Sequence, residues 1–259
     1  MLDTQPSAKL MVRPQVIWES VLEDLQQEGY GMSWWESRKG TPTDYAEFAG
    51  RVCYRAWEDT NNQNVSRVRS DQEVYFNNLI KQRHTSVLEH LNWSFILKGS
   101  RVLTHELIRH RPGIAVSQES GRYIRLHNDD MGWIDVPAGT IPEDIVEKFG
   151  GLRDKYMSDL QEVSDTLPWD EMNFSEKKKI TSWLRRSFPE GRATRLVWTA
   201  NARILRHVIA LRTAPGAELE IRLLFGQIAE IMAEEAPLLF LDMKREYDEE
   251  GVAYYEFDY

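Results

Sequence analysis

Apolar positions recur along the 259-residue chain at two spacings, and each change of spacing marks a new element. From Asp44 to Trp57, after a Gly-Pro-Thr-rich loop, Phe48 and Val52 fall four apart and predict a helix. Ser70 to Gln82 reads the same way, with Ser70 as N-cap and Val74, Phe76, Leu79 and Ile80 forming apolar faces. Leu91 to Leu97 switches to alternation: Leu91, Trp93, Phe95 and Leu97 share one side, Asn92 and Ser94 the other, which predicts a half-buried strand. Ser100 then caps a helix through Leu107 and Ile108 that stops near Pro112. Arg122–Leu126 and Met131–Val136 read as short strands, and long helices follow at Pro142–Asp165 and Phe174–Phe188. Arg195–Ala200 is a further strand, and Asn201 is an N-cap for a helix to Leu211. Pro215 opens a helix through Ala236, and Pro237 restarts one that ends in an acidic, tyrosine-rich tail. The sum is an α+β fold, a small antiparallel sheet packed by long helices.

Composition narrows the classes. With 42% hydrophobic residues the chain can bury the core of one large domain or two small ones. No apolar run approaches the ~20 residues that cross a bilayer. Met1–Leu10 has no apolar signal core and reads as a short disordered lead-in to a cytoplasmic protein. The single cysteine, Cys53, excludes an internal disulfide and a cysteine-only zinc site. A net charge of −9 disfavours long nucleic acid but not a small phosphorylated ligand, which needs only a local group of arginines. Neither a glycine-rich dinucleotide turn nor a phosphate loop with Lys is present, so any flavin or nicotinamide must be held differently.

The arginines gather at Arg109-His110-Arg111, followed by Ser117-Gln118-Glu119-Ser120-Gly121-Arg122-Tyr123. Ser120, the backbone at Gly121 and the fork of Arg122 can together surround a phosphate, and Gly121 lets the chain approach a ligand closely. The plainer reading is a solvated basic helix end that offsets its own dipole. Arg-His-Arg, a spacer and Ser-x-Arg-Tyr resembles the signature of the flavin-dependent thymidylate synthases. His84-Thr85-Ser86-Val87-Leu88-Glu89-His90, Ala49-Gly50-Arg51-Val52-Cys53-Tyr54, Asn201-Ala202-Arg203 with His207 and Leu211-Arg212, and Glu220-Ile221-Arg222 resemble further segments of that family in the same order.

The resemblance spans about residues 44 to 245, leaving 1–43 as an N-terminal extension and 246–259 as an acidic C-terminal tail. It implies the family's fold and a homotetramer with shared sites. It also implies C-5 methylation of a uridine monophosphate with FAD, NADPH and methylene-tetrahydrofolate. Carried over by position, His84, Ser86, Arg109, His110, Arg111, Gln118, Asn201 and His207 would contact FAD. Glu106, Ser120, Gly121, Arg122, Arg185 and Arg212 would contact the nucleotide, with Ser120 and Arg212 closest to the chemistry. Arg212 beside a pyrimidine carbonyl would stabilise charge that develops as carbon 5 becomes a nucleophile. The cofactors carry the redox work and the protein binds and orients them. In this family no enzyme cysteine attacks the ring, so Cys53 is expected to be a buried or flavin-lining thiol.

One departure concerns the substrate. The family has seven residues between Arg-His-Arg and the signature Ser, whereas eight (Pro112–Glu119) intervene here. A longer loop is the kind of change that admits a 2′-hydroxyl, as in antibiotic-pathway relatives that methylate UMP. Both dUMP and UMP therefore stand as expected substrates, beside a neutral surface bulge. Alternatives are a reductase or hydroxymethylase on the same scaffold, or a nucleotide- or flavin-binding regulator without catalysis.

Other motifs carry less. His105 and His110 are five apart, not the four that place two histidines on one metal. His84 and His90 read as a ligand-lining or capping His and a core His, and His127 as solvated. Lys177-Lys178-Lys179 marks the wet face of a helix, and most of the nine tryptophans are expected in core or interface.

Overall fold

Two strands pair along their whole length and set the register of the rest: β3 (Asn92–Ser100) runs antiparallel to β6 (Ala193–Asn201), from Asn92↔Asn201 to Ser100↔Ala193. The computed structural model describes residues 3–58, 62–65, 67–124, 132–135, 139 and 141–258, with backbone only at Asp3 and Thr4. β2 (Ser7–Val12) flanks β3, and β4 (Ile114–Gln118) flanks β6, giving an antiparallel order β2-β3-β6-β4. The two-residue strands β1 (Asp3–Thr4) and β5 (Trp133–Ile134) pair parallel to each other. Near the C-terminus β7 (Met243–Tyr247) and β8 (Ala253–Phe257) form a hairpin.

The expected alternation holds on β3. Trp93, Phe95 and Leu97 are fully buried, together with Leu196 and Trp198 of β6. Against this face pack α7 (Ala202–Thr213), through Leu205, Val208 and Ile209, and α8 (Leu219–Glu235), through Leu224, Phe225 and Ile228. Each such large side chain contributes about 1.5–3 kcal/mol by leaving water. The other helices are α1 (Trp18–Gln27), α2 (Pro42–Tyr54), α3 (Gln72–Lys81), α4 (Arg101–Leu107), α5 (Glu143–Asp165) and α6 (Phe174–Leu184). None of the helices among the described residues is long and apolar enough to cross a membrane. A second, aromatic cluster of Val21, Leu25, Trp35 and Trp57 lies under α1.

Several expectations are corrected. Ser7–Val12 is a sheet strand rather than a disordered lead-in, tied down by Gln227, whose side chain bonds both Ala8 N and Pro6 O. The N-cap of α3 is Asp71, not Ser70. The segment Ser120–Ile124 is a turn closed by Tyr123 N and Ile124 N donating to Ser120 O, so no strand begins at Arg122; Arg125 and Leu126 lie outside the described residues, as does His127. Only Trp133–Ile134 of the expected Met131–Val136 strand is observed as strand; Met131 and Val136 lie outside the described residues. Pro215 sits in a turn closed by Ala217 N on Ala214 O, and α8 starts at Leu219, where the Glu218 carboxylate accepts from Glu220 N and Ile221 N. Pro237 opens only a single 3-10 turn, and the expected helix after it is replaced by the first strand of a hairpin that takes in the tail.

The C-terminal segment is anchored to α7 by a buried ion pair. Arg206 Nη1 and Nη2 donate to Asp242 at 2.6 and 2.7 Å, Nη1 also reaches Leu239 O at 2.8 Å, and the guanidinium lies over Phe257 at 4.5 Å. Removing one member strands the other charge in the core. Asp242→Ala should therefore cost about 3–5 kcal/mol, and Arg206→Met with Asp242→Leu distinctly less. Urea unfolding monitored by circular dichroism checks this; a cost below about 1 kcal/mol for Asp242→Ala would show that the pair anchors nothing.

Candidate active site

Ser100, closing β3, accepts from Leu103 N and thereby starts α4 in line with the strand. α4 carries Glu106 and delivers Arg109 and His110 at its end; Asn201, closing β6, caps α7 through Ile204 N at 2.9 Å. α7 places His207 and Arg212 along one side. The two helices meet where Arg212 Nε donates to His110 Nε2 at 2.7 Å, while Arg212 Nη1 donates to Glu106 Oε2 at 2.7 Å and Nη2 to Glu106 O at 3.3 Å. An accepting Nε2 leaves the neutral imidazole with its proton on Nδ1. Burial, then the charge of Arg212 and then His207, hold His110 below the ordinary histidine range. His110 and His207 rings lie 6.4 Å apart at 74°.

In front of this group opens a cavity of about 620 Å³ lined by Arg109, His110, Gly113, Asn201, Arg203 and His207. Gly113 has φ +67°, and a Cβ there would stand 2.7 Å from Asn201 Nδ2 and 2.8 Å from Ile204 Cγ1, so both backbone and space require glycine. The eight-residue spacer that sequence presents as a loop is mostly strand: Ile114↔Ala200, Ala115↔Thr199 and Val116↔Trp198 fix its register. Gln118 donates to Thr104 Oγ1 of α4 at 3.2 Å and Thr194 Oγ1 of β6 at 3.5 Å.

Arg203 also borders a second cavity of about 400 Å³, which holds His84, Ser86, Tyr54 and Cys53. There Tyr54 stacks on His84 with centroids 5.7 Å apart, and Tyr54 Oη lies 3.1 Å from His84 Nδ1. Cys53 is exposed rather than buried. Behind it Arg51 is buried, donating to Glu47 Oε1 at 2.9 Å through Nε, and to Ala56 O at 2.9 Å.

A third cavity of about 290 Å³ brings Gly121 and Arg185 together with Arg101, Glu119, Phe188 and Arg192. Gly121 packs on Arg185, where a Cβ would meet Arg185 Cβ at 3.7 Å. Burial pushes the Arg192 guanidinium, 4.0 Å over Phe188, down to about 10, with Glu119 opposing and Arg101 adding to the shift. Ser120 Oγ accepts from Arg122 N at 3.4 Å. Arg111, Ser120, Arg122 and the Glu106–Arg212 pair line none of these three cavities. Of the predicted flavin residues, Arg109, His110, Asn201 and His207 thus gather at the Ile114 end of β4 and His84 and Ser86 line the second cavity, whereas Gln118 lies at the other end of the strand, toward Gly121 and Arg185, about 13 Å along a strand of this length.

Sequence reasoning assigned no role to Tyr54, Arg101, Arg192 or Arg203. Arg101 and Arg192 flank the Ser100↔Ala193 pair, so only the β3–β6 register brings them together. His105 turns away from His110, accepting from Arg101 Nη2 at 2.9 Å. Lys178, on the helix face expected to be merely wet, sits 5.2 Å over the ring of Tyr123.

The depressed His110 has a measurable consequence. Its imidazole should titrate below the ordinary value of about 6.5, and Arg212→Gln should move the midpoint upward. Between the folded and ordinary values the unfolded chain binds the extra proton. His110 therefore withdraws stability as pH falls below about 6.5 and costs nothing above it. Proton NMR of the imidazole checks the midpoint; a wild-type value at or above about 6.5 would refute the assignment.

The family model described as "Thymidylate synthase complementing protein" matches residues 37–238. The flavin-dependent thymidylate synthase of Mycobacteroides abscessus is 33% identical over 216 residues, 82% of this chain and 83% of that protein. The flavin-dependent thymidylate synthase of Mycolicibacterium vanbaalenii is 34% identical over 203 residues, 76% and 78% of the two chains. That of Corynebacterium diphtheriae is 30% identical over 227 residues, 83% and 84%. The chain therefore belongs to the flavin-dependent thymidylate synthase family of enzymes.

Proposed function

We propose that this enzyme methylates carbon 5 of dUMP, with FAD as cofactor, methylene-tetrahydrofolate as carbon donor and NADPH as reductant, on the family's fold. The observation that carries the reading is the Arg212 guanidinium, aimed by Glu106 and His110 beside the largest of the three cavities. The residues of that cavity fit a flavin dinucleotide: Arg109 supplies charge for a pyrophosphate, while Asn201, His110 and His207 supply polar edges for a ring. When bound, the flavin supplies hydride and relays the one-carbon unit.

The chain's own share is electrostatic and positional. Carbon 5 of uracil attacks only when the ring is polarised, and a guanidinium near a pyrimidine carbonyl stabilises the charge that develops there. Two anchors hold that guanidinium in one orientation, so little of its flexibility remains to be lost on binding. A neutral His110 keeps its Nδ1–H as a donor and adds no positive charge beside Arg212. Arg185, Arg101 and Arg192 gather a second positive centre suited to the nucleotide phosphate. Because that centre and the Arg212 group occupy opposite ends of β4, the complete site is formed by several copies of the chain in a homotetramer.

Release of the carbon-5 proton, measured with dUMP and UMP in parallel with FAD, NADPH and methylene-tetrahydrofolate, tests the reading. Release from dUMP is expected, and Arg212→Ala should lower it about 10²–10³-fold. Cys53→Ser should keep it. Silence with both nucleotides from FAD-loaded protein, or an Arg212→Ala variant as active as the parent, defeats the proposal. Release from UMP alone would reassign the substrate to the ribonucleotide.

A further inference from the structure

Arg212 stands one residue from the end of α7, in the turn where a helix's last carbonyls lack intrahelical partners and fraying begins. Pro215 makes that end abrupt: the residue before a proline avoids helical backbone, and Ala214 is extended at φ −53° and ψ 144°. What holds the last turn comes from elsewhere in the chain. Thr213, fully buried, donates its hydroxyl to Ile209 O at 2.8 Å and accepts from Tyr255 N of β8 at 2.9 Å. Its carbonyl accepts from Arg222 Nε of α8 at 3.2 Å. The same guanidinium turns its Nη2 to Asp248 Oδ2 at 2.6 Å and Val252 O at 3.4 Å, in the turn between β7 and β8.

Arg206, paired with Asp242 just ahead of β7, precedes Thr213 by two helical turns, so the hairpin grips one face of α7 at two points. The hairpin lies beyond residue 238, where the match to the family model ends. Stability alone does not account for Arg222, because a buried ion pair often contributes no more than apolar side chains of the same volume. What a guanidinium adds is direction: Nε and Nη2 fix the helix end and the hairpin turn relative to each other.

We infer that the C-terminal hairpin is a positioning element for Arg212, acting through Arg222 and Thr213 on the backbone from which that side chain projects. The inference rests on the role of Arg212 in the proposed reaction. Glu106 and His110 hold the guanidinium at its tip, yet a side chain held only there still shifts with its backbone. Fixing the base as well leaves the charge one place to stand, and a misplacement of about 1 Å can cost on the order of a hundredfold in rate. Thr213, Arg222, Asp248 and Tyr255 line none of the three cavities, so their effect on the reaction is transmitted through Arg212.

Carbon-5 proton release from dUMP by the FAD-loaded full chain tests this in two variants. Thr213→Val keeps the shape and removes the hydroxyl. Asp248→Asn keeps an acceptor for Glu250 N and Val252 N but removes the charge that steers Arg222. In each, kcat should fall about tenfold with KM for dUMP within about twofold of the parent. Thr213→Ser, which restores the hydroxyl, should recover most of the loss. In an Arg212→Ala background the same changes should lower the residual rate by less than about twofold, the non-additivity of residues that act through one another. Proton NMR gives a reading independent of turnover: His110, whose ring meets Arg212 and faces His207, should titrate higher in the folded variants, as in Arg212→Gln. Parent-like kcat in both variants, or an equal loss with and without Arg212, overturns the inference; should Thr213→Val not fold, Asp248→Asn decides alone. If the parent releases no proton from dUMP or UMP, the synthase reading fails and the His110 midpoint decides, a rise supporting the positioning role and an unchanged value overturning it.

Discussion

The carboxylate of Glu220 holds the joint on which the site is built. Its Oε1 accepts from Ser100 N at 2.6 Å and its Oε2 from Ser100 Oγ, where β3 ends and α4 begins. Gly99 leaves room for it, since a Cβ there would stand 3.1 Å from Glu220 Oε1. Burial raises the carboxyl's affinity for a proton and the bonds from Ser100 work against that shift. The arrangement is a buried acid made tolerable by two buried donors of Ser100, the backbone amide and the hydroxyl at the helix start. From this one joint follow the direction of α4, and hence the places of Glu106, Arg109 and His110. α8 supplies Glu220, and α8 also lies against α7, which supplies Arg212. One packing event therefore sets both halves of the Arg212–Glu106–His110 group.

Charge is handled differently at the periphery of the core than at the site. Arg206, Arg51 and Arg222 are buried and matched: Arg206 by Asp242, Arg51 by Glu47, and Arg222 by Asp248 at 2.6 Å with Thr213 O at 3.2 Å. These pairs fasten chain segments that carry few apolar residues, above all the C-terminal hairpin. Its turn is organised by Asp248, whose carboxylate accepts from Glu250 N and Val252 N as well as from Arg222, while Gly251 takes the left-handed conformation at φ +76°. At the three cavities the arginines outnumber nearby acids instead. Desolvated charge without full compensation is costly, and it persists where a ligand can supply the missing counter-charge.

What sequence revealed, and what it hid, divides along the same line. Ser100 and Asn201 were legible as caps because a cap is a local hydrogen bond between residues three apart. β3 was legible because its alternation exposes Asn92 and buries Trp93, Phe95 and Leu97. β4 was not: five residues with only Ile114 and Val116 facing the core give too short a pattern, and its edges are the charged motif itself. β2 was hidden because Leu10 and Ala8 are its sole inward contacts and its hold comes from Gln227, more than two hundred residues away. The hairpin went unread, its first strand taken as the end of a helix from Pro237, because its turn depends on Asp248 and Arg222, a tertiary contact with no local signature. α1 went unread because its apolar face meets a satellite cluster of tryptophans and not the main core. The site shows the same division. His110, Asn201 and His207 meet as their motifs imply, but Arg101 and Arg192 join the phosphate-sized cavity only through strand register.

That division bears on how the site is completed. Most residues legible from motifs fall into two groups toward opposite ends of β4, Arg109, His110, Asn201 and His207 at one and Gly121 and Arg185 at the other. Strand pairing fixes the frame between them: β4 is hydrogen-bonded to β6 along its length, and β6 to β3. A rearrangement within the chain would have to break the ladder that defines the fold. Bringing a second copy alongside costs no internal hydrogen bonds and needs only complementary surfaces. The exposed apolar residues of α5 and α6, among them Phe149, Leu152, Phe174 and Trp183, are side chains that such an association would cover. Rigidity of the sheet thus favours the proposed completion of the site by a second copy over a rearrangement within one chain.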